Sequence, residues 1–388
     1  MDFTPTEEQT AARDLAADIL TDLSTHERLS ALGDGTDAEL WKALCAAGIP
    51  GATEDIGLLG LALVLEEQGR TTAQVPLAAT CAYGLLPVGM YGSEGTRERL
   101  LPALRDGTAV ATGAFPLPGR RSAVTAVERD GGWRLSGTVP MVPWLREATH
   151  VLVPARCAAD GTEGGEGADG TVRCFLVEPV ESLGAGVTAV ATTAPWSAGR
   201  LVLESAPGEP LADGAYEPTL ARARTAFAAL QAGVCAGSLT RAVAYTCERE
   251  QFGRPLSTNQ GVQLRAADAH MDTEAIRVTT YEAAWRHDRG LPARTHSLTA
   301  AWWAAEAGRR VVHAGQHLHG GIGADLDHPV HRHFLWGRQL DAYLGAPGQL
   351  LAELGGLLAD PGTDAERLDP GTEAERLPGT EAERLEEK

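Results

Sequence analysis

Apolar residues recur at helical spacing through the first hundred residues of the chain. After Pro5, Thr6-Glu7-Glu8 opens a helix, and Ala11, Leu15, Ala16, Ile19 and Leu20 mark its apolar face. Asp37 to Ala47 and Asp55 to Gln68 repeat the pattern, the second through Leu58, Leu59, Leu61, Leu63 and Leu65. Thr96 to Leu104 predicts a further short helix, bent at Pro102 and closed by Asp106-Gly107. From Ala109 to Glu217 the texture changes. Ala123 to Arg129 and Trp133 to Gly137 flank Asp130-Gly131-Gly132, which predicts strand, tight turn, strand. His150 to Pro154, Val172 to Val177 and Arg200 to Leu203 predict more strands. Asp160 to Gly170 holds five glycines and no apolar run, and predicts a mobile loop. Long helical stretches then return as Pro218 to Glu250, Asn259 to Asp288, His296 to Gln316 and Pro329 to Leu344. The expected architecture is mainly α with a central β domain, divided as 1–108, 109–217 and 218–358.

Beyond Ala359 the pattern collapses into a repeat. Gly362 to Leu368, Gly371 to Leu377 and Gly379 to Leu385 are nearly identical, and a period of eight to nine residues is too short to bury a core. This 359–388 tail reads as disordered and solvated. From Asp360 onward it carries ten acidic and four basic residues, so it supplies six of the 19 net negative charges. The acidity of the whole excludes a phosphate-backbone or anionic-membrane binder, which would need runs of Lys and Arg. No apolar stretch approaches the roughly 20 residues of a membrane span, and the N-terminus lacks the basic and apolar regions of a secretory signal. Six scattered cysteines without a CxxC pair read as free thiols in a cytoplasmic protein.

Two segments carry candidate chemistry. Glu248-Arg249-Glu250-Gln251-Phe252-Gly253-Arg254-Pro255-Leu256, followed by Asn259-Gln260, ends a long helix in charge, an aromatic, a glycine turn and a proline. By local physics alone this is also an ordinary helix end with a tight connection. Gly315-Gln316-His317-Leu318-His319-Gly320-Gly321-Ile322-Gly323 places three glycines in four positions, leaving backbone N–H groups open to a phosphate or ribose. A plain helix-to-helix turn explains it equally well. Six of the eleven histidines fall between His313 and His333. His317 and His319 stand two apart, as do His331 and His333, and such pairs do not share a helix face, so no metal site is expected.

Together, in this order and at this separation, these segments resemble the acyl-CoA dehydrogenase family over about residues 1 to 358. The resemblance implies an N-terminal helical domain, a middle β-barrel or sandwich and a C-terminal four-helix bundle, with FAD as cofactor and an acyl-CoA as substrate. By the same resemblance Arg249, Gln251 and Phe252 hold the flavin's pyrophosphate and adenosine from a neighbouring subunit. An Arg fork suits a diphosphate because it donates two bonds in one plane. Gln260 matches a motif glutamine after the same turn, and Gly320 and Gly321 match glycines at the cofactor. His317 stands where the family usually has a glutamine.

The chemistry implied needs a carboxylate to take the α-proton of a thioester while the flavin takes a hydride from the β-carbon. The commonest base lies in a Tyr-Glu-Gly-Thr setting, and here that segment is Tyr343-Leu344-Gly345-Ala346. An alternative base position, just before an arginine, is here Ala223 followed by Arg224. Neither Leu344 nor Ala223 can take a proton. Glu217 lies almost two helical turns from the second position and is not a substitute. The family's Glu-Pro-x-x-Gly-Ser-Asp stretch is also missing between Thr112 and Arg121, and Val139 stands where a lysine is usual. Trp144 reads as a core residue or as a stacking partner of the flavin edge. The pattern is similar to the base-lacking subunit of actinobacterial α2β2 enzymes acting on steroid side-chain thioesters, whose partner subunit carries the glutamate. Competing expectations are a self-sufficient oxidase or monooxygenase of the same fold, a flavin-free scaffold and, last, a stand-alone dehydrogenase.

Overall fold

A computed structural model of the chain describes residues 2–117, 120–157 and 171–359. The glycine-rich segment Asp160 to Gly170 and the acidic repeat tail lie outside the described residues. The first third is helical: α1 (Glu7–Leu23), α2 (His26–Leu32), α3 (Ala38–Ala46), α4 (Ile49–Thr71), α5 (Leu77–Thr80), α6 (Leu86–Tyr91) and α7 (Glu94–Arg105). Side chains start several of these helices. Thr6 and Gln9 form a reciprocal cap on α1, Thr25 caps α2, Asp37 caps α3 and Ser93 caps α7.

The expected helix at Asp55 begins earlier, at Ile49, and is interrupted at Gly57, where φ is 70° and ψ is −172°. The restart leaves orphan amides, which a distant residue satisfies. Leu58 N and Leu59 N donate to the Asp288 carboxylate at 2.7 and 2.9 Å. Between α5 and α6 the chain makes a fully buried π turn, Cys81–Leu85. This stretch has no polar face to betray a helical period, and the sequence pattern missed it.

Strands β2 (Val124–Arg129), β3 (Gly132–Val142), β7 (Gly199–Pro210), β5 (Val172–Val177) and β4 (His150–Cys157) pair in that cyclic order. Because β4 bonds both β2 and β5, the sheet closes into a barrel and leaves few edges. The β2–β3 turn is the expected Asp130-Gly131 pair, with φ 54° and 75°. Two short strands escaped the sequence pattern. β1 (Ala111–Gly113) pairs parallel with β4, and β6 (Ala185–Ala189) is an edge on β7. Val124, Leu135, Val151, Val153, Phe175, Leu201 and Leu203 fill the barrel.

The remainder is helical: α8 (Tyr216–Glu248), α9 (Gln260–Asp288), α10 (Arg294–Leu318), α11 (Pro329–Leu344) and α12 (Pro347–Ala359). Between α8 and α9, β8 (Glu250–Gln251) and β9 (Arg254–Pro255) make a two-stranded hairpin. α4 and α8 cross backbone to backbone at Gly69 and Gly233, where an added Cβ would sit 2.1 Å from Leu230 O and 1.9 Å from Glu66 O respectively. One apolar core runs from Ala16 to Leu350, and the barrel joins it through Trp144, Leu152 and Trp196. α8 is long and apolar enough to cross a membrane, but 78% of its most apolar window is buried inside the protein.

Candidate functional site

The charged end of α8 folds into the β8–β9 hairpin, with Phe252 and Gly253 at its tip. Their φ angles are 54° and 77°, the left-handed pair that a tight two-residue turn demands. Phe252 bears a bulky side chain on that backbone and is 101% exposed. An isolated chain gains nothing from this. A left-handed phenylalanine costs on the order of 1 kcal/mol, and its ring is left in water. Arg249 and Gln251 are exposed beside it, and among the described residues the Arg249 side chain makes no ion pair. Asn259 caps α9 by accepting from Gly261 N at 2.9 Å, which sets Gln260 at the first exposed position of that helix.

The second segment ends α10 and forms a 3-10 turn, Gly320–Ala324. Gly320 has φ 65°, and a Cβ added at Gly321 would meet open space, so the backbone there is approachable from outside. His317 and Gly320 line an open hollow of about 400 Å³ with Arg265, His313 and Gln316. Arg265 was missed in the sequence, although it lies only five residues beyond Gln260 on α9. No carboxylate lines the hollow among the described residues. A cation, imidazoles and bare backbone suit a diphosphate, and so these residues fit the pyrophosphate half of a flavin dinucleotide. His319 and His333 are spent on packing. His319 stacks on Tyr245 at 4.8 Å, and its Nδ1 lies 2.7 Å from Gly315 O. His333 is buried, with Nε2 3.0 Å from Arg70 O. Among the described residues no group of three or more potential ligands could hold a metal ion.

A larger cavity of about 650 Å³ lies where the barrel meets the N- and C-terminal helices. Both Leu344 on α11 and Ala223 on α8 line it, although 121 positions separate them in sequence. Leu344 is 4% and Ala223 1% exposed. No aspartate or glutamate lines this cavity among the described residues. An acid that reaches a lining residue is already committed. Arg224, which lines the cavity, donates to both carboxylate oxygens of Glu353 at 2.8 and 2.7 Å. Glu217 pairs with Arg294 at 3.0 Å, outside the cavity lining. Tyr83 and Tyr343 share a hydroxyl–hydroxyl bond of 2.6 Å on the wall. Burial holds both phenols well above their ordinary pKa, so they are neutral donors and not bases. Trp144 is a core residue: it is fully buried and stacks on Trp196 at 4.9 Å.

Comparison with known proteins joins these features to one class. Residues 6–108 match the acyl-CoA dehydrogenase N-terminal domain, and residues 215–351 match the acyl-CoA dehydrogenase C-terminal domain. The chain is 34% identical to acyl-CoA dehydrogenase FadE27 of Mycobacterium tuberculosis, over 93% of this chain and 99% of that one. A variant of the Tcur3481-Tcur3483 steroid ACAD superposes with a TM-score of 0.84 at 40% identity, covering 91% of this chain and 98% of that chain. The ChsE4-ChsE5 complex from Mycobacterium tuberculosis also gives 0.84, at 33% identity over 93% of this chain and 100% of its own. The chain belongs to the acyl-CoA dehydrogenase family, and it is an oxidoreductase of that family. Within it, the chain resembles the actinobacterial steroid-type subunits. Members of this family are flavoproteins.

Proposed function

We propose that this chain is the base-lacking subunit of an FAD-dependent acyl-CoA dehydrogenase that introduces an α,β double bond into the CoA thioester of a steroid side chain or similarly bulky acyl group. Its partner is a homologous subunit that carries the catalytic glutamate. One observation carries this reading: the two places where the family keeps its base converge on one cavity, and neither they nor any other lining residue among those described bears a carboxylate. The bound flavin supplies hydride acceptance. This chain would supply binding: the Arg249 guanidinium and the Gln251 amide would donate to the flavin's diphosphate, and Phe252 would cover apolar surface of the partner. Gln260, Arg265, His317, Gly320 and Gly321 would offer further donors and open backbone to the cofactor. The exposed, left-handed Phe252 supports the partner, because only burial against another surface repays its cost. Six free cysteines support a reducing, cytoplasmic setting.

Expression of the chain alone and together with its homologous partner tests the proposal. Oxidation of a steroid side-chain CoA ester is expected only from the pair. Oxidation by the chain alone refutes the reading in favour of a self-sufficient enzyme. A colourless, inactive pair refutes it in favour of a scaffold.

A further inference from the structure

A hydroxyl pair on the cavity wall is left unused by the proposed function. Tyr83 from the buried π turn and Tyr343 from the end of α11 meet hydroxyl to hydroxyl at 2.6 Å. Two hydroxyls carry two protons, and a bond between them consumes one. Neither oxygen has a second hydrogen-bond partner among the described residues, so one proton is left over at the cavity wall. Both rings are clamped. Tyr83 packs on Phe115 and Phe227 at 5.1 and 6.0 Å, and Tyr343 packs on Phe227 and Trp196 at 4.7 and 6.0 Å. Only the hydroxyl protons can reorient. On the barrel side the lining adds the hydroxyls of Thr138 and Ser122, the latter donating to Pro154 O at 2.6 Å; the helical side is apolar through Leu220, Phe227 and Leu344, and Arg224 is occupied by Glu353. The remaining arginines of the lining, Arg120 and Arg121, are exposed and so belong to its solvent side.

We propose that this cavity is a holding site for a neutral, apolar molecule of polycyclic size that carries a carbonyl oxygen, which accepts the spare proton of the Tyr83–Tyr343 pair. A volume of about 650 Å³ lies in the ordinary range for small-molecule sites. An unspent buried donor selects an acceptor: a ketone satisfies it, whereas a pure hydrocarbon leaves it unpaired. That the molecule is held and not oxidised rests on the function proposed above, since no lining residue among those described can take an α-proton.

The test is a tryptophan-fluorescence titration of the full chain, alone and with its partner, against androstanone and its parent hydrocarbon androstane. The ketone is expected to bind about tenfold more tightly. Tyr83→Phe and Tyr343→Phe are each expected to keep that preference, because the surviving hydroxyl donates its own proton. The double variant Tyr83→Phe/Tyr343→Phe is expected to lose it. Circular dichroism shows whether each variant is folded, and the single variants serve as controls for the isosteric change. Absence of saturable binding, a preference that survives the double variant, or one lost in either single variant overturns the proposal. Thioester oxidation by the chain alone would defeat the base-lacking reading while leaving this ketone preference standing, so the two failures are distinguishable.

Discussion

Replacing Phe252 by glycine separates what the hairpin does for the chain from what it does for an assembly. In the isolated chain the ring touches only water, being 101% exposed, and it sits at φ 54°. Glycine removes a backbone cost of about 1–2 kcal/mol and adds about 0.5–1 kcal/mol of unfolded-state entropy. The net effect on folding is therefore between zero and about 1.5 kcal/mol of stabilisation. If Phe252 packs against the partner as proposed, the same change in the flavin-bearing pair deletes a buried phenyl group, worth about 1.5–3 kcal/mol. FAD affinity should then fall by roughly ten- to a hundredfold. Thermal unfolding of the chain alone reads the first quantity, and flavin fluorescence during dilution of the pair reads the second. A lower melting temperature for the chain alone, with unchanged flavin retention in the pair, would refute the assignment of Phe252 to an interface.

Three further outcomes follow from the packing. Asp288→Ala removes the acceptor for Leu58 N and Leu59 N and should cost about 2–3 kcal/mol in urea unfolding, with Asp288→Asn losing less; an unchanged midpoint refutes the capping role. Arg224→Met strands Glu353, whose side chain is 21% exposed, and should cost about 1–3 kcal/mol, most of it recovered in Arg224→Met/Glu353→Met; equal losses in both variants would contradict this. Acid should destabilise the fold before its carboxylates titrate. Burial lowers the pKa of His333 to about 4 and that of His287 to about 3, whereas the unfolded residues titrate near 6.5. The native state therefore binds these protons less well. Stability is full above about pH 6.5 and falls toward pH 4, by on the order of 3 kcal/mol for His333 alone. Urea midpoints that stay flat between about pH 7 and pH 5 would refute this.

The sequence revealed most where one element decides its own structure. α11 was legible residue for residue because Pro329 starts it and Gly345 stops it. The β2–β3 hairpin was legible from Asp130-Gly131, and β5 from its branched apolar run. Elements whose reason lies elsewhere were not. The break at Gly57 depends on Asp288, far along the chain, and the π turn depends on burial from every side. β1 has three residues, and β6 is an exposed edge with no alternation to read.

The site divides along the same line. The two motif segments were visible as local strings, and the structure gathers His317 and Gly320 into one hollow. Arg265 carried no local signal beyond its place on α9. That Leu344 and Ala223 face one cavity, beside Tyr83, follows only from the packing of α8, α11 and the buried π turn.

The most direct measurement of the central claim is the ratio of FAD to protein in the purified pair, read together with anaerobic reduction by the acyl-CoA. One flavin for each pair of chains is expected, all of it reduced by substrate, and none retained by this chain alone. One flavin per chain, with this chain reducing its own when no partner is present, would contradict it.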